Sequence, residues 1–204
     1  MYRVDRNDFY TVQKNATVYT PMPVSDFIFK TISMHIDKDK PILDPCVGGG
    51  NLLKPFDDNG FQTIGIDIED QGYPRTLVKN YLAVKCGELP SPSLVIMNPP
   101  FNIDDKTKTY IKKHYHGRPL LPEIWLQKAI ELFGIDIPII LFTPYGLRLN
   151  QTVNSKRWQK FISNEYPAIS SIIALPKDIF EGILFHSEIL IFNIDGLRGH
   201  YFYG

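Results

Sequence analysis

The chain has 204 residues, 44% of them hydrophobic, enough for one domain with a sizeable core. Lys plus Arg equals Asp plus Glu at 22 each, which excludes whole-molecule attraction to a polyanion and leaves any nucleic-acid contact to local patches. Two cysteines are too few for a disulfide framework or a zinc site, and no run approaches the ~20 apolar residues of a membrane span, so a soluble, cytoplasmic protein without metal is expected.

In chain order, residues 24 to 36 place Phe29, Ile32 and Ile36 at helical spacing. The polar turn at 37 to 40 then leads into a short strand ending at Asp44. After Gly48-Gly49-Gly50, the stretch NLLKPFDDNG predicts a short helix that stops by Gly60, and Thr63 to Ile68 reads as the next strand. Ser93 to Asn98 is an apolar run of strand length, and Pro99-Pro100 ends it because neither residue has a backbone N–H. Pro122 to Phe133, with Gly134 behind, has the Pro-first, Gly-last asymmetry of a helix. A buried strand at 137 to 143, a helix at 155 to 165 and strands at 169 to 175 and 189 to 194 complete the reading. The pattern predicts an α/β domain over residues 1–204, with an N-terminal segment and helix at 16–36 and a sheet core at 41–195. Its sheet should be mostly parallel, covered by helices on both faces, with an antiparallel strand near the C-terminus.

In such sheets ligands bind beyond the carboxyl ends of the strands, and three stretches fall there: Asp44 to Gly50, Asp67, and Asn98 to Phe101. A glycine turn between strand and helix brings backbone N–H groups against a ligand, and an acid on the next strand is placed to accept from a ribose diol. The turn lacks both the G-x-G-x-x-G spacing of a dinucleotide site and the Lys-Ser/Thr of a P-loop, which points to a nucleoside-containing cofactor without pyrophosphate. At NPPF, residues 98 to 101, the Asn98 side-chain oxygen and the Pro99 carbonyl supply two hydrogen-bond acceptors, Pro100 stiffens the turn, and Phe101 offers a stacking face. Two acceptors and a ring suit an exocyclic amine on a planar base.

In order, TVYTP (17–21), DPCVGGGNLL (44–53), GIDI (65–68) and NPPF resemble the S-adenosylmethionine-dependent N6-adenine methyltransferases of DNA. Within that group the chain is most similar to the modification subunits of type I restriction systems, and IILFTPYGLRLN (139–150) and ALPKDIFEGILFHSEILIFN (174–193) extend the likeness. The resemblance implies a Rossmann-like class I methyltransferase fold and S-adenosyl-L-methionine as cofactor. It assigns Tyr19, Thr20, Pro21, Asp44, Cys46, Gly48 and Gly50 to the methionine end, Asp67 to the ribose and Ile68 to the adenine ring. Asn80 stands where the family often has an acid for the cofactor's adenine amine, and Phe180 occupies the family's other base-pocket position.

The implied reaction moves the methyl group to N6 of an adenine flipped out of DNA, with Asn98 and Pro99 accepting the amine hydrogens and Phe101 stacking on the base. No separate target-recognition domain is expected after the core, so a specificity subunit is an expected partner. Methylation of a protein glutamine is the alternative within enzymes, and a non-catalytic cofactor- or partner-binding protein is the alternative outside them. Two basic runs are candidate phosphate contacts. Residues 104 to 118 hold five Lys or Arg against two acids, and residues 147 to 164 hold Arg148, Lys156, Arg157 and Lys160 with none.

Overall fold

The chain enters its first helix, α1 (Met22–Ile32), through Pro21, whose ψ of 136° is extended and whose carbonyl accepts from the Val24 and Ser25 N–H groups. The computed structural model describes residues 19–100, 103, 105–115, 120–149, 151–180 and 186–204. Within them, β1 (Ile42–Asp44), α2 (Lys54–Asp58), β2 (Thr63–Asp67) and β4 (Leu94–Met97) fall where apolar runs and turn residues predict. So do α4 (Leu121–Phe133), β5 (Ile139–Pro144), α6 (Lys156–Ile162), β6 (Ile169–Ala174) and β7 (Ser187–Phe192). Four elements were not expected: β3 (Thr76–Val78), α3 (Asp105–His114), α5 (Gly146–Leu149) and β8 (His200–Phe202).

The strands form one sheet in the order β3-β2-β1-β4-β5-β7-β6-β8. Neighbours from β3 to β5 are parallel, β7 is antiparallel to both β5 and β6, and β8 is parallel to β6. Side chains alternate between two cores. Ile42, Leu94, Ile96, Ile140, Phe142, Ile189 and Ile191 face the layer that includes α1 and α2. Leu43, Val95, Met97, Ile139, Leu141, Leu190 and Phe192 face the layer that includes α4. Burial on both faces is why these strands read as continuous apolar runs instead of alternating ones.

The chain moves outward from β1 through β2 to β3, then returns to β4 on the other side of β1. Strand order therefore reverses between β1 and β4, and the crevice beyond their carboxyl ends is where sheets of this kind bind ligands. Asp44 ends β1, Asp67 ends β2 and Asn98 follows β4, so the topology gathers all three stretches at one edge. The described helices are none of them long and apolar enough to cross a membrane, and the described residues include no cluster of three or more metal-ligating side chains.

Candidate active site

Asp44 is 1% exposed at the end of β1. Its Oδ1 accepts from the Cys46 N–H at 3.0 Å, and Oδ2 has no partner among the described residues. Burial pushes this carboxyl up to about 7, although the Cys46 N–H pulls the other way. Burial, with Asp44 beside it, holds the Cys46 thiol well above its ordinary value. A buried carboxylate oxygen without a donor is a costly arrangement for an isolated fold and a ready one for a cationic or N–H group.

The glycine turn is fastened to β2 by two bonds. Val47 N–H donates to the Ile66 carbonyl at 3.0 Å, and Gly48 N–H to Asp67 Oδ2 at 2.9 Å. Asp67 also accepts from the Glu69 N–H through Oδ1 at 3.2 Å, which fixes its carboxylate at the strand end. The next residue, Ile68, is 56% exposed, an apolar face beside an acid.

Two different demands keep side chains off this turn. At Gly48 and Gly49, an added Cβ would meet the Tyr19 ring at 3.4 and 3.3 Å. At Gly50, where φ is +85°, it would fall inside the Tyr73 ring, so this glycine serves packing within the fold. The Tyr73 ring is held by its hydroxyl, which donates to Asp57 Oδ2 at 2.8 Å and shares a 2.6 Å bond with Thr63. Arg75 donates to Thr63 at 3.0 Å and pairs with Asp57. Sequence reasoning missed Tyr73, because a tyrosine in the loop between β2 and β3 carries no local signal of the glycine it faces.

The N-terminal segment closes over the turn. Tyr19, half exposed, donates from its hydroxyl to Gln71 Oε1 at 2.8 Å. Asn51, also unforeseen, donates to the Thr20 carbonyl at 2.8 Å. Thr20 is buried, and its hydroxyl accepts from Asn98 Nδ2 at 3.2 Å. That bond turns the Asn98 amide so that Oδ1 remains as an acceptor at the end of β4, beside the start of Pro99-Pro100. Phe101 lies outside the described residues.

Asn80 and Phe180 each have partners within the fold itself. Asn80 lies past the end of β3 and caps a 3₁₀ turn at Tyr81–Ala83, its Oδ1 accepting from the Leu82 N–H at 3.0 Å. Its oxygen accepts from its own backbone and keeps a second lone pair, whereas a carboxylate there would add a whole second oxygen. Phe180 is 3% exposed in the core and packs edge-on against Phe142, ring centroids 6.1 Å apart. One strand beyond the Asn98 end, Thr143 pairs with Glu188 across β5 and β7. Glu188 is buried, takes Arg148 Nε on Oε2 at 2.9 Å, and leaves Oε1 without a partner, as is the Thr143 hydroxyl, among the described residues.

The sheet is that of the Rossmann-like class I methyltransferases. Part of the type IIG restriction endonuclease BpuSI superposes with a TM-score of 0.64 at 19% identity, over 90% of this chain and 26% of that one. A type I restriction-modification methyltransferase subunit from Streptococcus thermophilus gives 0.62 at 16% identity, over 93% and 48%. A Listeria monocytogenes protein assigned to the class I S-adenosylmethionine-dependent methyltransferases gives 0.61 at 18%, over 90% and 64%. The chain thus spans less than two thirds of each of these proteins. No protein-family model and no curated protein matches its sequence.

Proposed function

We propose that the chain is an S-adenosyl-L-methionine-dependent methyltransferase acting on the N6 amine of adenine in DNA. The observation that carries the reading is the bond from Asn98 to Thr20, because it leaves the amide oxygen as an acceptor at the strand end next to the glycine turn. The residues present fit the cofactor. Asp44 offers a buried oxygen without a donor for the ammonium of the methionine end, Asp67 holds a carboxylate at the ribose position, and exposed Ile68 gives the adenine ring an apolar seat. When bound, the cofactor supplies an electrophilic methyl group on a sulfonium.

An adenine amine is a weak nucleophile because its lone pair is delocalised into the ring. Asn98 Oδ1 and the Pro99 carbonyl accept its two hydrogens and favour a pyramidal nitrogen, and the prolines hold both acceptors still, so orientation supplies most of the catalysis. Phe101 stacks on the base and offsets part of the few kcal/mol that extrusion from a duplex costs. The structural likeness to a subunit of a type I restriction-modification system supports a separate polypeptide as the source of target recognition. Incubation with cofactor and mixed-sequence DNA, followed by mass spectrometry of the nucleosides, tests the substrate. N6-methyladenine supports the reading; unmodified DNA beside a methylated glutamine in added protein would replace it.

A further inference from the structure

The neutral total conceals an uneven distribution. Residues 101 to 164 hold ten Lys and Arg against five Asp and Glu, and the rest of the chain holds twelve against seventeen. α3 carries four of these cations against one acid. Thr107, Tyr110 and Ile111 form its inner face, packed toward the core that contains α4, and the Tyr110 hydroxyl donates to the Leu82 carbonyl at 2.8 Å. The outer face carries Lys106, Lys108, Lys112 and Lys113, all exposed, with Asp105 as its single acid.

Lys112 and Lys113 in the last turn suit the helix macrodipole, but helix stability does not account for the rest of the pattern. Lys106 and Lys108 stand in the first turn, where the macrodipole disfavours cations, and Lys108 and Lys112 are like charges four residues apart. Lys108 reaches Asp105 at 3.0 Å in a solvent-exposed pair worth little, and Lys106, Lys112 and Lys113 have no ion-pair partner among the described residues. The second basic run behaves differently. Arg148 is engaged by Glu188, Arg157 by Glu123, and the Lys160 ammonium lies 5.1 Å from the Tyr166 ring centroid.

α3 begins five residues after Pro100, and the Tyr110 hydroxyl ties it, through the Leu82 carbonyl, to the turn that Asn80 caps. Lys106 and Lys113 stand ~10 Å apart along the helix axis, about three nucleotide steps of a duplex strand. We infer that the outer face of α3 is a contact surface for the phosphate backbone of nucleic acid, holding the strand that carries the target base. The inference rests on the reading that the chain acts on nucleic acid.

The test is the salt dependence of binding to a fluorescent 20-base-pair duplex of mixed sequence. It compares the wild-type chain with a Lys106→Gln, Lys108→Gln, Lys112→Gln, Lys113→Gln variant, and with Lys156→Gln, Lys160→Gln on the other run. Each phosphate neutralised contributes ~0.9 to the slope of log affinity against log salt, so the quadruple variant should lose up to about 3.6 from that slope. Its affinity at 50 mM salt should fall about 100-fold, while its thermal midpoint and its calorimetric affinity for S-adenosylmethionine stay at wild-type values. An unchanged slope in a folded quadruple variant overturns the inference, as does an equal loss in the double variant or a wild-type chain that does not bind the duplex at 50 mM salt. Failure of cofactor binding in the wild-type chain would instead count against the methyltransferase reading.

Discussion

The three glycines at 48 to 50 look equivalent in sequence and do different work. Gly50 sits at φ +85° with the Tyr73 ring against it, so Gly50→Ala combines backbone strain with overpacking. Urea unfolding should show a loss of about 2–4 kcal/mol. Gly49→Ala meets only the edge of the half-exposed Tyr19 ring, and its stability should change by less than about 1 kcal/mol while cofactor affinity falls. Equal stability losses in the two variants would show that Tyr73 does not set the requirement at Gly50.

Asp44 links pH to the site. Burial raises its folded-state value from 3.8 to about 7, so between those values the folded chain holds a proton that the unfolded chain has released. Its contribution to stability is full below about pH 4, declines as pH rises toward 7 and is gone above it, a span on the order of 4 kcal/mol. Binding of the cofactor's ammonium calls for the ionised form, so affinity should rise about fourfold from pH 6 to pH 8, the rise blunted because an α-amino group begins to lose its own proton near pH 8. Asp44→Asn should bind weakly and with a flat profile. Calorimetry at the two pH values checks this, and a wild-type affinity that falls with pH would contradict the assignment.

Elements with a full apolar face were legible in sequence, and those built on polar residues were not. α1, α4 and the buried strands announced themselves by period or by apolar run, whereas α3 has the composition of a charged loop and shows its helical logic only through Thr107, Tyr110 and Ile111. β3 and β8 are short strands at the two edges of the sheet, where pairing on one side leaves little hydrophobic requirement. The strand-end acids and Asn98 were legible because their positions follow from where strands stop. Asn51, Tyr73 and Gln71 were not, because each acts through a partner 23 or more positions away or through a ring contact. The roles read for Asn80 and Phe180 came from alignment with a motif; in the structure the Asn80 oxygen accepts from the Leu82 N–H and Phe180 packs in the core.

One polar junction between elements is open to direct measurement. Glu123, near the start of α4, accepts from Arg157 Nε of α6 at 2.9 Å and from the Tyr166 hydroxyl at 3.0 Å, and both ion-pair side chains are largely buried. Arg157→Met leaves a carboxylate without its cation and should cost about 3 kcal/mol. Adding Glu123→Gln should recover part of that loss, and additive losses in the double variant, measured by urea unfolding, would show that the pair is not coupled.

At the scale of the whole molecule, a reversal of strand order brings three separate sequence stretches to one edge, and the chain's uneven charge leaves four lysines on the helix that follows β4 in sequence. Methyl transfer is the claim on which these features converge. The most direct measurement follows labelled methyl from S-adenosylmethionine into DNA with wild-type chain and with Asn98→Ala, while cofactor affinity is measured on the same samples. The account predicts label in DNA for the wild type, a loss of about 100-fold or more in the variant, and similar cofactor affinity in both. Equal transfer by the two proteins, or a wild-type chain that binds no cofactor, would contradict it.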